Sequence, residues 1–427
     1  MKDRNFSGRF KSIVARGGII VFFIMAFEVM IMISPFAFFF YSVFNPILHW
    51  LQDYSATRWL TSFFLPHMIL PPTMFLRAVR ILGSVLFVVG SLTFFACTFQ
   101  VYFGKIFKWG VASKGLYCVI RHPQYLALGL WGTGMSILWP RFLVLVSLSF
   151  MFILYYFLAK DEERRMLGQF REGYSEYMNR TGMFLPRRVE NFILIPFRSL
   201  QQNAMRYVSI CFSIIVIVIG SGFLLRFITL HSIGLSTAEN ITILPILPED
   251  TDIGKRVLGK ITAESGAKRL EFIDSRKDYL AYLMPSDYVM QGMIADTGGE
   301  FHLHKGHNTF ALITDWVLHP FEHLRRSPSA QMAKMHGVDP VFARRHHCPI
   351  GIDEPKLSCE SCPYRRIIFI EIDHEGSYHI SSQELLSFGV SRIPVGFIDI
   401  NTSTGEMVNV KMVGKGTAWK DVPTPAI

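Results

Sequence analysis

Four long runs with almost no charge, residues 17–44, 80–103, 124–159 and 207–230, decide what this chain can fold into. Their apolar residues are continuous rather than alternating, so they suit helices, in which every backbone polar group is satisfied within the segment even in lipid. Each run is long enough to enter or cross a bilayer. The first is too long for the core of a signal peptide and lacks a clear small-residue cleavage site, so it is expected to be retained. Composition agrees. Only 18% of the 427 residues are charged, against about a quarter in a soluble domain. Residues 231–427, by contrast, read as ordinary globular sequence.

The net charge of +10 would raise the question of nucleic acid in a soluble protein, but its placement points elsewhere. Lys2, Arg4, Arg9, Lys11 and Arg16 precede the first run, and Lys105, Lys108, Lys114 and Arg121 lie between the next two. Lys160, Arg164, Arg165, Arg171, Arg180, Arg187, Arg188, Arg198 and Arg206 precede the last. One topology puts all eighteen on one side and leaves Arg58, Arg77, Arg80 and Arg141 for the short connections opposite. Positive charge stays on the cytosolic face, so the N-terminus is expected in the cytosol of an inner or plasma membrane protein and the C-terminal region outside, periplasmic in a bacterium. The basic excess is topological, and no nucleic-acid partner is expected.

That topology requires Trp59–Leu76 not to cross. Pro66, Pro71 and Pro72 interrupt this apolar stretch, and a proline-broken helix leaves carbonyls that lipid cannot satisfy. A re-entrant or interfacial segment on the outer side is expected. Residues 124–159 read as a hairpin broken at Trp139-Pro140-Arg141, each arm short for a full crossing, followed by an amphipathic stretch over 161–205. The expected fold is a mostly α-helical polytopic membrane protein with about five spans, one re-entrant or interfacial segment and a C-terminal extramembrane α+β domain. The expected boundaries are a membrane core over 1–205, a final transmembrane helix over 206–230 and an outer domain over 231–427. Within the outer domain a helix is predicted over Asn308–Arg325. Strands are predicted over Arg366–Asp373, Val395–Ile400 and Met407–Val413, the last two joined by the turn Asn401–Glu406.

The chemically informative stretch runs from Gly115 to Pro186. It holds Gly115-Leu116-Tyr117, Arg121-His122-Pro123-Gln124-Tyr125, Glu162-Glu163-Arg164, then Phe170, Tyr174 and Tyr177, and closes at Phe184-Leu185-Pro186. An antiparallel hairpin over 124–159 brings its two ends together, so motifs about forty residues apart can share one pocket. Pro123 suits the first turn of the helix it opens. Glu162 or Glu163 can accept hydrogen bonds or offset a cation, and Tyr117 and Tyr125 offer aromatic surface. Taken singly, Arg121 and His122 could be interfacial anchors, Glu162–Arg165 an exposed turn, and the 170, 174, 177 spacing a plain helix face.

The ordered set, G-x-Y-x-x-x-R-H-P-x-Y, an apolar hairpin, E-E-R, F-x-x-x-Y-x-x-Y and L-P, resembles the isoprenylcysteine carboxyl methyltransferase and phospholipid methyltransferase superfamily over residues 104–186. The resemblance implies S-adenosylmethionine as cofactor and methyl transfer, at the cytosolic membrane face, to a membrane lipid or small hydrophobic acceptor. Its cofactor contacts would fall on Tyr117, His122, Pro123, Gln124, Tyr125 and Glu163, with further contacts from Trp109, Gly110, Val111 and Ala112. Relatives often place an arginine just before the glutamate pair, where this chain has Ala159-Lys160-Asp161. Arg121, Lys160, Glu162 and Arg164 are therefore the candidates near the acceptor. No catalytic general base is named, because a sulfonium is already an activated donor.

Ten of the fourteen histidines lie between residues 302 and 379. His302, His304, His307, His319, His323, His346, His347, Cys348, Cys359 and Cys362 include residue types that favour a transition metal. The other readings are a disulfide in an oxidising compartment and exposed histidines. Two further functions compete with the transferase: a non-catalytic anchor for a metal- or redox-active outer domain, and a reductase of the sterol-reductase-like fold. The glutamate pair and the tyrosines favour methyl transfer over reduction.

Overall fold

The computed structural model describes residues 48–67, 69–107, 114–198, 203–265, 270–286, 364–373, 384–386 and 391–413, with residues 288, 294–295, 314, 317–321 and 381 between them. The first apolar run, 17–44, lies outside the described residues, as does most of the helix expected over 308–325. In chain order the helices are α1 (Leu48–Asp53), α2 (Met74–Ile106), α3 (Pro123–Leu138), α4 (Phe142–Arg180), α5 (Arg187–Ile193), α6 (Ile195–Arg198), α7 (Asn203–Ser232) and α8 (Thr251–Ser265). The strands are β1 (Ser236–Ala238), β2 (Ile241–Pro245), β3 (Asp278–Pro285), β4 (Tyr364–Asp373), β5 (Ser391–Asn401) and β6 (Met407–Met412).

Three helices among the described residues are long and apolar enough to cross a membrane: Met74–Gly104, Phe142–Arg180 and Ala204–Ser232. The protein is thus mostly helical with a C-terminal sheet. α3 is shorter, 16 residues, or about 24 Å. α4 holds 39 residues, about 58 Å, nearly twice the ~30 Å hydrocarbon thickness. Its polar second half must therefore project from the apolar layer. The sequence reading separated the apolar arm ending at Ala159 from an amphipathic stretch beginning at 161; one helix carries both, with a kink at Arg171 (φ 42°). Nothing between Leu158 and Gln169 breaks a helix, so the change in polarity marks a change of surroundings rather than an end.

The described chain forms two compact units. The first draws on residues 86–134 and 146–218. Its helices meet at glycines. A Cβ on Gly90 of α2 would lie 2.4 Å from the Trp131 nitrogen and 2.9 Å from the Ala127 carbonyl of α3. A Cβ on Gly129 would lie 2.8 Å from the Phe152 ring of α4. Small residues that let helix backbones approach closely replace the hydrophobic drive that lipid cannot supply.

The second unit draws on residues 48–85, 135–145 and 219–413. Its sheet runs β1-β2-β3-β4-β5-β6, with only β2 and β3 parallel. α8 makes the crossover that a parallel pair requires. On one face Ile243, Ala281, Leu283, Phe369 and Ile398 pack with Val257, Leu258 and Ile261 of α8. The opposite face, including Leu244, Leu280, Tyr282, Ile368 and Ile370, is covered by Ile69, Leu70 and by Leu230 of α7. β2 and β3 are buried along their whole length, so they read as continuous apolar runs rather than alternating ones.

The proline-rich stretch 59–76 forms no helical span. After a short 3-10 turn at Arg58–Thr61 it runs as a strap, pairing with the α3–α4 turn through Phe64 N to Pro140 O (2.8 Å) and Phe142 N to Ser62 O (3.0 Å). It then meets the sheet, where Leu70 N donates to Ile246 O at 3.0 Å. The prolines thus sit where the backbone bonds to protein neighbours, and α2 starts only after them, with Thr73 Oγ1 accepting from Leu76 N at 3.3 Å.

Candidate active site

Tyr117 lies in a 3-10 turn opened by Gly115, whose φ of 64° favours glycine. The turn delivers the chain into Arg121-His122, immediately before Pro123 opens α3. This segment is held against the one after α4. Arg121 N donates to Gly182 O (2.8 Å), His122 N to Met183 O (3.0 Å) and Gly182 N to Val119 O (3.2 Å). A side chain on Gly182 would place Cβ 1.8 Å from the Leu185 carbonyl, so only glycine fits there. The Glu190 carboxylate of α5 accepts from Met183 N and closes the loop.

Two motifs forty residues apart converge beside this pairing. Arg121 Nε donates to Glu163 Oε1 at 2.6 Å, and its Nη1 donates to the carbonyls of Met178 and Thr181. One guanidinium therefore joins α3's entry, the middle of α4 and the C-terminal end of α4. Glu163, 3% exposed, also lies 3.8 Å from Lys160 Nζ and 3.6 Å from His122 Nε2. His122 Nδ1 stands 3.4 Å from Glu162 Oε2. Burial pulls the imidazole down, but the carboxylates of Glu162 and Glu163 outweigh it and hold His122 above its ordinary value. Its Nε2 is buried and finds no hydrogen-bond partner.

Aromatic side chains complete the site. The rings of His122 and Tyr125 are 5.7 Å apart, and those of Tyr125 and Tyr155 stack at 5.3 Å. The Tyr155 hydroxyl is buried and makes no hydrogen bond. Tyr117 donates to Gln124 Oε1, and Tyr177 OH donates to the Tyr117 carbonyl at 2.6 Å. Burial raises the Tyr117 phenol far above its usual range, so it remains a donor at any physiological pH.

Of the residues singled out in the sequence, Tyr117, Arg121, His122, Pro123, Gln124, Tyr125, Lys160, Glu162 and Glu163 come together. Arg164 does not: it turns to Asp161 on the exposed side of α4, at 2.5 Å. Phe170 is exposed and precedes the kink, whereas Tyr174 is buried and rests against Tyr177. Trp109, Gly110, Val111 and Ala112 lie outside the described residues. Sequence reasoning missed Tyr155, whose only signal was a tyrosine pair inside an apolar run, and Glu190, which had none. Among the described residues no group of three or more His, Cys, Asp or Glu converges to hold a metal. His319 is described, whereas His302, His304, His307, His323, His346, His347, Cys348, Cys359 and Cys362 lie outside the described residues.

No curated protein and no solved structure gives a significant match to the chain. The described family of phospholipid methyltransferases does, over residues 74–173, which hold α2, the 3-10 turn, α3 and α4 as far as the kink. The stretch from Met74 to Gly173, which carries Arg121-His122 and Glu162-Glu163, is thus similar to the phospholipid methyltransferase family.

Proposed function

We propose that this chain is an integral membrane methyltransferase that uses S-adenosylmethionine and acts at the cytosolic face on a membrane lipid or another small hydrophobic acceptor. The observation that carries the reading is the meeting of Arg121-His122 with Glu162-Glu163 where α4 leaves its apolar half. The residues present fit the cofactor. His122 Nε2 and the Tyr155 hydroxyl are buried polar atoms without hydrogen-bond partners. Such atoms are costly to bury and suit a ligand that brings its own donors and acceptors.

The bound cofactor supplies a methyl group already activated on a sulfonium. The protein's share is binding, alignment and exclusion of water. Tyr117, His122, Pro123, Gln124, Tyr125 and Glu163 would hold the cofactor, with Trp109, Gly110, Val111 and Ala112 joining from the segment before the 3-10 turn. Glu163 would accept from ribose hydroxyls or face the ammonium, and Tyr125 would present its ring to the cationic end. Lys160 and Arg121 carry positive charge beside the pocket and would orient an anionic or polar acceptor headgroup.

The eighteen-to-four asymmetry of basic residues supports the cytosolic orientation. A reporter fused after Lys160 is expected in the cytosol and one after Ile427 outside; finding both on one side removes the orientation. The function is tested by equilibrium binding to the purified protein, comparing S-adenosylmethionine with NADPH. The adenosyl cofactor should bind, and His122→Ala or Glu163→Ala should weaken it by an amount near 1.5–3 kcal/mol, the worth of a hydrogen bond to a charged group. Binding of NADPH alone would favour the reductase reading, and binding of neither would leave the anchor.

A further inference from the structure

Arg141 lies in the turn between α3 and α4, and it is fully buried. Its Nη1 donates to the Thr61 carbonyl at 2.6 Å, and its guanidinium carbon sits 5.1 Å from the Phe63 ring centroid. Its Nε is buried with no acceptor. No carboxylate among the described residues pairs with it. Phe63 also carries His67 on its ring, at 4.6 Å, and His67 in turn packs edge-on to Trp139 at 4.7 Å. His67 Nε2 is likewise buried without a hydrogen-bond partner. Arg80 adds a further positive charge near this imidazole.

A buried guanidinium is normally compensated by a carboxylate, because its desolvation amounts to several kcal/mol. The sheet of the same unit shows that pattern twice. Arg365 pairs with both oxygens of Asp250 (2.7 and 3.1 Å), and Arg366 with both of Asp399 (2.8 and 2.9 Å). Arg141 departs from it. A purely structural role, tying the strap to the turn, needs only the bond to Thr61 and leaves Nε desolvated to no purpose. The surroundings respond to the surplus of positive charge: burial, together with Arg80 and Arg141, lowers His67 to about 3, so it is neutral.

We propose that Arg141 and His67 form a binding site for a phosphate group, separate from the methyl-transfer site and independent of that reading. Arg141 would supply a charged N–H and His67 a neutral one, two donors beside the aromatic rings of Phe63 and Trp139. Phosphate is the anion to expect because the site adjoins the end of the apolar run of α4, with Trp59 packed edge-on against Phe142 at 5.5 Å. Tryptophans mark the depth at which a bilayer presents its phosphates. The guanidinium fork also matches phosphate oxygens better than any point charge does. The group can come from a lipid headgroup or from free phosphate.

The test uses the full chain, stripped of lipid in detergent, and follows its thermal unfolding and its binding directly. The probes are inorganic phosphate, phosphatidylglycerol in mixed micelles, and a phosphate-free galactosyl diacylglycerol. Binding of phosphatidylglycerol over the phosphate-free lipid, without binding of inorganic phosphate, assigns the site to a headgroup; binding of both assigns it to phosphate in general. In either case Arg141→Met should weaken binding roughly tenfold or more and His67→Ala by less. Without ligand, Arg141→Met should unfold no lower than the wild type, since a desolvated charge has been removed. No preference for a phosphate-bearing probe, or undiminished binding in Arg141→Met, overturns the proposal. Should Arg141→Met fail to fold, the wild-type preference and the His67→Ala affinity decide it in the same way.

Discussion

Removing Glu163 should reveal how much of the active-site frame hangs on one ion pair. Arg121 and Glu163 are 2.6 Å apart with side chains 8% and 4% exposed, so neither is usefully hydrated. In Glu163→Met the guanidinium keeps the carbonyls of Met178 and Thr181 but loses its carboxylate. Stranding a buried charge in this way lowers stability by about 3–5 kcal/mol. Arg121→Met leaves Glu163 with Lys160 at 3.8 Å and His122 at 3.6 Å. Its own loss therefore comes partly from two carbonyls left without a donor, at roughly 1 kcal/mol each. The double variant strands no charge, so its loss should fall short of the sum of the singles by about 1–3 kcal/mol. Thermal unfolding of the full chain in detergent, followed by tryptophan fluorescence, measures all three. Strictly additive losses would show that the two side chains do not share an energetic link, and the frame described above would be wrong.

Gly182→Ala should prevent the segment after α4 from closing on Arg121 and His122, since its Cβ would stand 1.8 Å from a backbone carbonyl; a loss of at least about 1–3 kcal/mol in the same unfolding assay is expected, with weakened cofactor binding. His122 is held above its ordinary value of 6.5, so its protonation favours the folded state. That contribution is complete below 6.5 and fades as pH rises through the raised value. Unfolding temperature should therefore step down over that window in the wild type and lack the step in His122→Ala. Asp399→Ala should cost the sheet about 3–5 kcal/mol by stranding Arg366, which is stacked over Phe397 at 4.2 Å; an unchanged unfolding temperature would show that water reaches Arg366.

The sequence made the hairpin and its motifs legible because proline and charge are strong local signals. Trp139-Pro140-Arg141 marked the break between α3 and α4, and Arg121-His122-Pro123 marked the entry. β4, β5 and β6 were also readable, since Asn401–Glu406 forms the tight turn its composition suggests, with Gly405 at φ 69°. β2, β3 and α8 were not. Buried on both faces, β2 and β3 lack the alternation that distinguishes a strand from a piece of buried helix. α8 carries Gly254 and Gly259, which weaken a helical pattern. A Cβ at Gly254 would stand 3.3 Å from Ile243 of β2, a tight contact. The motifs that converge at the candidate site were legible, but the scaffold that brings them together was not: the bonds from 119–122 to 182–183 depend on Gly182 and on the length of α4, neither of which any motif marks.

The cover on the sheet's second face bears on how this protein can be made. Ile69 and Leu70, together with Leu230, pack against strands that follow them in the chain. Arg226, inside the fourth apolar run, donates both to the Phe63 carbonyl and to the Leu386 carbonyl. A fragment beginning near residue 231 would thus carry a sheet with part of one apolar face uncovered and the Leu386 carbonyl orphaned, and should aggregate when expressed alone. During synthesis the strap leaves the ribosome well before the strands it packs against, which begin at Ile241 and continue through β5 at Ser391–Asn401. It must wait in or near the bilayer until translation reaches β4 and β5. The membrane then acts as the holding place for an unfinished core, and a ribosome that stalls after α7 would release a chain whose strap has nothing to cover.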